Sequence, residues 1–182
     1  PQSFAKAIEL YEQAAAKGQM DAPYSLGRSY RHGLGVEQDL QKAVAYFQQV
    51  IENTEARSNT PHAMFDLGCM YAGGEGVPES IAEAKDLWER AAAHGHPAAM
   101  FNLGIIYQDR AGVAPNATQA KQWYTQASAL GSTLATGRLK EIEDAEAGRF
   151  QQQAADRGNA VQNASRGTED GDEDEDSGAV VE

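Results

Sequence analysis

A chain of 182 residues leaves room for one domain or an elongated array. It carries 15 Lys and Arg against 27 Asp and Glu, a net charge of −12, and eight of the acids, with no base among them, fall between Glu169 and Glu182, leaving −4 on residues 1–168. No basic face emerges to neutralise phosphates, which argues against nucleic acid or an anionic membrane surface as partner, and no apolar run approaches the ~18 residues that cross a bilayer.

In chain order, SFAKAIELYEQAAAKG within residues 1–20 reads as the second helix of a truncated repeat, with Ser3 as cap, Ala7 and Tyr11 on its inner stripe and Gly18 at its end. Residues 21–57 form repeat 1, 58–97 repeat 2 and 98–131 repeat 3. Each opens with the same register: Ala22, Leu26-Gly27 and Tyr30; Ala63, Leu67-Gly68 and Tyr71; Ala99, Leu103-Gly104 and Tyr107. A Gly-Val pair follows (Gly35-Val36, Gly76-Val77, Gly112-Val113), then a helix-starting residue (Asp39, Ser80, Asn116), an alanine four residues on, and an aromatic four further (Phe47, Trp88, Tyr124). Each unit therefore reads as helix A, loop, helix B. Cap-to-cap spacings are 36, 41 and 36; the five extra residues lie in IENTEARSNTPH, an inter-repeat loop that tolerates insertion, and there Thr54 replaces the closing glycine.

Ser80-Ile-Ala-Glu83 forms a capping box, with Asn116-Ala-Thr-Gln119 a near match, and Gly18, Gly95 and Gly131 close helix B. The glycine after each leucine sits mid-helix, where it costs about 1 kcal/mol against alanine. The expected reason is close approach of a neighbouring helix backbone. Residues 132–157 begin a fourth helix A at Ala135 and Leu139, but Lys140 and Glu143 replace the glycine and tyrosine, so this stretch reads as a polar C-terminal capping helix. Residues 158–182 combine low hydrophobicity with dense charge and read as a disordered acidic tail. The first helix B has no helix A before it, which predicts further repeats upstream of Pro1.

These residues resemble the Sel-one-like repeat family, helix–turn–helix relatives of the tetratricopeptide repeat, over Ser3 to Leu139. The third loop, Arg110-Ala-Gly112, departs from the pattern by losing its first glycine. The resemblance implies an all-α superhelical solenoid and a role as a protein-binding adaptor or scaffold. It also implies two alternatives: the secreted penicillin-binding hydrolases of the family, whose members are cysteine-rich, and a lumenal quality-control adaptor of the endoplasmic reticulum.

The residues themselves offer little chemistry. Cys69 is the sole cysteine, so neither an intrachain disulfide nor a cysteine metal site is expected; a lone thiol fits a reducing, cytoplasmic setting without requiring one. Phosphate-loop, H-E-x-x-H, G-x-S-x-G and C-x-x-C motifs are missing, and no cofactor, metal or catalytic residue is assigned. His94 and His96 read as polar residues of a turn, like His32 and His62, and Trp88 and Trp123 as core. Two glycosylation triplets occur, Asn116-Ala-Thr118 and Asn163-Ala-Ser165.

With Leu67 at the buried centre of helix A, the helical wheel turns three rows to the other side, the expected concave face. Tyr24, Phe65 and Phe101 form an aromatic row that either packs on a neighbouring repeat or lines a groove. Ser25, Asp66 and Asn102 form a small polar row, expected exposed because an unpaired buried carboxylate is costly, and Arg28, Cys69 and Ile105 a mixed row. Together they predict a surface for a protein or peptide segment.

Overall fold

A computed structural model of the chain describes residues 2–19, 21–53, 58–109 and 115–166. Their regular structure is helical, with no strand among the described residues: α1 (Gln2–Ala16), α2 (Ala22–His32), α3 (Leu40–Glu52), α4 (Thr60–Gly73), α5 (Ile81–Ala93), α6 (Pro97–Asp109), α7 (Ala117–Ala129) and α8 (Thr133–Arg166). The chain divides into two units, Pro1–Leu139 and Lys140–Glu182. In the first, α2/α3, α4/α5 and α6/α7 are hairpins, and α1, α3 and α5 each pack on the next helix in the chain. This is an α-solenoid.

Helix B begins the same way in each hairpin. The cap side chain accepts a backbone N–H three residues on: Asp39 from Lys42 at 2.9 Å, Ser80 from Glu83 at 3.2 Å and Asn116 from Gln119 at 3.0 Å. The cap's own N–H donates back to the carbonyl of the repeat tyrosine, Asp39 to Tyr30 at 3.0 Å, Ser80 to Tyr71 at 2.9 Å and Asn116 to Tyr107 at 2.7 Å. These two bonds clamp the end of helix A to the start of helix B. Gly33 and Gly74 terminate α2 and α4 in the left-handed conformation that lets the chain turn back.

The mid-helix glycines serve a purpose other than the expected one. A Cβ on Gly27 would stand 2.8 Å from Phe47 Cε1, one on Gly68 2.5 Å from Trp88 Nε1, and one on Gly104 2.6 Å from Tyr124 Cδ1. The slot admits the aromatic ring of the hairpin's own helix B, where a neighbouring backbone had been anticipated. Backbone approach occurs instead at the loop glycines: a Cβ on Gly35 would lie 2.5 Å from the carbonyl carbon of Phe4, and one on Gly76 2.9 Å from that of Leu40. Each described Gly-Val loop thus rests on the first turn of the preceding helix B. α1 therefore occupies the place of a helix B.

The rings that fill the slots, Phe47, Trp88 and Tyr124, are buried with Leu26, Met70, Leu103 and Ile106 as the core. Trp123 differs from the expectation. It stands one residue before the slot, where Tyr46 and Leu87 stand in the other repeats, and is only half-buried, with an indole N–H that is enclosed and unbonded. Ser3, expected as a cap, lies inside α1, a shift of the one or two residues by which helix starts vary. Asp21 and Asn59 precede α2 and α4 without a side-chain cap; proline in the first turn removes one N–H that would otherwise need a partner.

At the C-terminal end Ser132 Oγ caps α8 by accepting from Ala135 N–H at 3.3 Å, and Ala135 is buried. From Glu143 to Ala160 every side chain of α8 is exposed. The helix runs to Arg166, so residues 158–166, read from sequence as tail, are helical; after Gly158 the stretch NAVQNASR holds neither proline nor glycine to stop it. Thr54, the Arg110-Ala-Gly112-Val113 loop and the acidic run from Glu169 lie outside the described residues.

Candidate functional site

The A helices α2, α4 and α6 face one another through side chains on the face that the wheel assigned. Between α2 and α4, the Tyr24 hydroxyl donates to Asp66 Oδ2 at 3.1 Å, and the Arg31 guanidinium spans Asp66 Oδ1 at 3.2 Å and Glu75 Oε2 at 3.0 Å. The Arg31 and Asp66 side chains keep only 13% and 16% of their exposure, so this pair is shielded from water and held in one geometry. Between α4 and α6, Asn102 Nδ2 lies 3.9 Å from Cys69 Sγ, and the Phe65 ring stacks on His96 with centroids 4.7 Å apart.

The nine expected positions lie on α2, α4 and α6, with a different environment at each. Tyr24 and Phe101 lean on the slot rings of their own hairpins, Phe47 at 6.0 Å and Tyr124 at 5.6 Å. The Phe65 carbonyl accepts the Trp88 indole N–H at 3.1 Å. Asp66, expected to be exposed, is half-buried and engaged by Tyr24 and Arg31, because two donors on α2 supply the pairing that its burial demands. Ser25 is half-buried and its hydroxyl reaches the Asp21 carbonyl at 3.4 Å. Arg28 is exposed, with its guanidinium 6.0 Å from the Tyr24 ring centroid, and Asn102 and Ile105 are half-buried.

Burial pushes the Tyr24 phenol up to about 12, with the Asp66 charge adding to it. Burial likewise raises the Cys69 thiol to about 11. That is opposite to the depression a nucleophilic or metal-binding thiolate needs. Among the described residues no group of three His, Cys, Asp or Glu side chains converges as a metal site would require. One Ser-x-x-Lys spacing occurs, Ser3 to Lys6 in α1, where Lys6 is exposed.

Sequence reasoning missed Arg31, Glu75 and the role of His96. Arg31 follows the repeat tyrosine, where the other units carry Ala72 and Gln108, and Glu75 lies between two loop glycines. Each of these charges occurs in one unit only, so the repeat register carried no signal for them. His96 Nδ1 accepts from Ala99 N–H at 3.2 Å and so caps α6, as Ser132 caps α8 three residues before Ala135. An acceptor Nδ1 requires the neutral ring, and burial, with the adjacent His62 adding to it, lowers His96 to about 4. His62 meets it edge-on at 4.9 Å. His96 thus holds a helix start, beyond filling a turn.

A Sel1 repeat family model matches residues 1–19, 21–53, 61–96 and 97–132. A crystal structure of a Sel1 repeat protein from Oxalobacter formigenes is similar at TM-score 0.68 and 31% identity, over 75% of this chain and 54% of that one. The structure of c5321, a protective antigen of uropathogenic Escherichia coli with the same repeat fold, is similar at TM-score 0.68 and 29% identity, over 76% of this chain and 29% of that one. In sequence, the ERAD-associated E3 ubiquitin-protein ligase component HRD3 of Candida glabrata is 38% identical over 53 residues, 29% of this chain and 6% of the relative. The chain thus spans a small part of that relative and about half of the Oxalobacter protein.

Proposed function

The chain belongs to the Sel1 repeat family, and on that premise we propose that it is a non-enzymatic scaffold whose row of A helices binds a segment of another protein. One observation carries the reading. α2, α4 and α6 are cross-linked by side chains into a single wall, and the wall still offers Arg28 and, in part, Phe65, Phe101, Asn102 and Ile105 at its surface. A wall braced by its own contacts is preorganised, so an extended or helical segment loses freedom on docking while the protein loses little. Aromatic area and amide groups in one row suit a peptide. The HRD3 relative is named as a component of a ligase assembly, which supports a role in assembling complexes.

The hydrolase alternative gains no support at this face, because burial keeps Cys69 a protonated thiol. The test is a displayed peptide library selected on the whole chain. Peptides recovered are expected to lose at least about tenfold in affinity on the double variant Asn102→Lys/Ile105→Lys, which disturbs the surface row. They are expected to keep it on Gln122→Lys, on the exposed side of α7. The reverse pattern overturns the reading.

A further inference from the structure

Three imidazoles meet where α6 starts against α4. His96 sits between the two helices, with Nδ1 on the Ala99 N–H at 3.2 Å, its face on Phe65 at 4.7 Å and His62 edge-on at 4.9 Å. His94, in the turn that follows α5, joins His62 and His96 in lining a cavity of about 420 Å³. Ser58, two prolines and Gly95 complete that lining, so no carboxylate stands among the described residues around it. On the α2 side Tyr24 faces His62 at 6.1 Å and stays a neutral phenol in acid. α7 meets α6 further along, where Tyr124 leans on Phe101.

The neighbouring helix starts are held without an imidazole. Ser132, three residues before Ala135 as His96 is before Ala99, caps α8 with a hydroxyl. Between α2 and α4 the residue in the register of His62 is Asp21, and it accepts from Asn59 Nδ2 at 2.7 Å.

A proton on His96 turns Nδ1 from acceptor to donor, so that it meets the Ala99 N–H donor to donor. It also sets a positive charge at the positive end of the α6 dipole and beside a second imidazole. All three effects push the same way, and no acid lines the cavity to offset them. The charged ring is satisfied by turning into the cavity, where water reaches it. That turn uncovers Phe65 and leaves the first turn of α6 without its cap.

We infer that the start of α6 is an acid-opened joint of the wall: protonation swings His96 off Phe65 and Ala99, frees the first turn of α6 from α4, and releases a protein segment docked across the two helices. The release rests on the reading of the A helices as a binding wall; the swing does not.

Nuclear magnetic resonance of the whole chain reads the swing. Cross-peaks between the Phe65 and His96 rings should weaken as the His96 ring titrates, to about half at pH 4, while those between Phe101 and Tyr124 persist. The Ala99 amide should move with the same midpoint in wild type and hold still in His96→Ser, which imports the cap used at Ser132. His62→Gln removes a charge that holds His96 down, so the midpoint should rise. Library peptides that depend on Asn102 and Ile105 read the release. Their affinity for wild type relative to His96→Ser should follow the neutral fraction, falling about twofold at pH 4 and about fourfold at pH 3.5. Phe65–His96 cross-peaks that survive titration of the His96 ring overturn the proposal. So does loss of the Phe101–Tyr124 cross-peaks at the same pH, which means unfolding of the whole stack, and so does an affinity ratio that stays constant. A wall that captures no peptide at pH 7 sinks the binding reading and the release with it, and the cross-peaks then decide the swing alone.

Discussion

On one side of α4, Gly68 lies against the Trp88 ring of α5; on another, Asp66 takes the Tyr24 hydroxyl and the Arg31 guanidinium from α2. The first contact is made inside a hairpin and returns with different rings at Gly27 and Gly104. The second is made between hairpins and does not return: the next junction uses Phe65 on His96 and Asn102 near Cys69. In a stack where each repeat touches only its neighbours, stability comes from within units and from each interface separately. Steric rules inside the hairpin therefore build the fold. Polar and aromatic contacts between hairpins can differ at each step, and they give the wall its individual surface.

The largest expected effect breaks the inner contact. Trp88→Ala empties a buried indole site and removes the donor to the Phe65 carbonyl, and should cost about 3–5 kcal/mol. The melting temperature should fall by about 10 °C or more in a chain of this size. Melting at the wild-type temperature would remove Trp88 from the core.

A finer version sets two glycines of helical backbone against each other. Gly104→Ala drives a methyl into the ring of Tyr124, which is fully buried and tied through its hydroxyl to Gln108 Oε1 at 2.8 Å. Overpacking of about 1–3 kcal/mol outweighs the gain in helix propensity of about 1 kcal/mol. Gly137 in α8 has nothing within 4 Å of its would-be Cβ, so Gly137→Ala should stabilise by up to about 1 kcal/mol. Denaturant titration of the two variants should give shifts of opposite sign. Shifts of the same sign would mean that the slot is not steric.

The same division explains what the sequence disclosed. The repeated Leu-Gly, the aromatic eight residues after the cap, and Asp39, Ser80 and Asn116 are legible because one local geometry imposes them on every unit. The helix that carries each of Tyr24 to Ile105 followed from the repeat register. Its contacts did not, because Arg31 and Glu75 have no counterparts in the other repeats, and a pattern averaged over units erases pairs that occur once. The glycine was read correctly as a sign of close approach, while the ring that approaches depends on how the hairpin closes. A histidine cap stayed hidden because it depends on which ring nitrogen faces the helix.

Between hairpins the expected effects are smaller. Asp66→Ala leaves Arg31 with Glu75 alone and the Tyr24 hydroxyl without its acceptor, at about 1–2 kcal/mol. Tyr24→Phe should cost about 1 kcal/mol. In the double variant the costs should fall short of their sum, since both remove the same bond. Spectrophotometric titration of Asp66→Ala should bring the Tyr24 phenol only part of the way down from about 12, because burial is the larger cause of its rise. Strictly additive costs would show that the hydroxyl and the carboxylate do not interact.

The smallest effect is a pH dependence at the second junction. His96 titrates near 4 in the folded chain against 6.5 ordinarily, so between those values the unfolded state binds more protons. Stability from this group is whole above about pH 6.5 and falls as the pH drops toward 4. Discounted for a ring that is partly open to water, the loss is on the order of 1 kcal/mol. The groups facing His96 are His62, Phe65 and the Ala99 N–H. His96→Asn keeps an acceptor for Ala99 and does not titrate, so its melting temperature should fall less than that of wild type between pH 6.5 and pH 4. Parallel slopes would mean that protonation leaves the start of α6 intact, and then the ring nitrogen facing Ala99 is not what holds it.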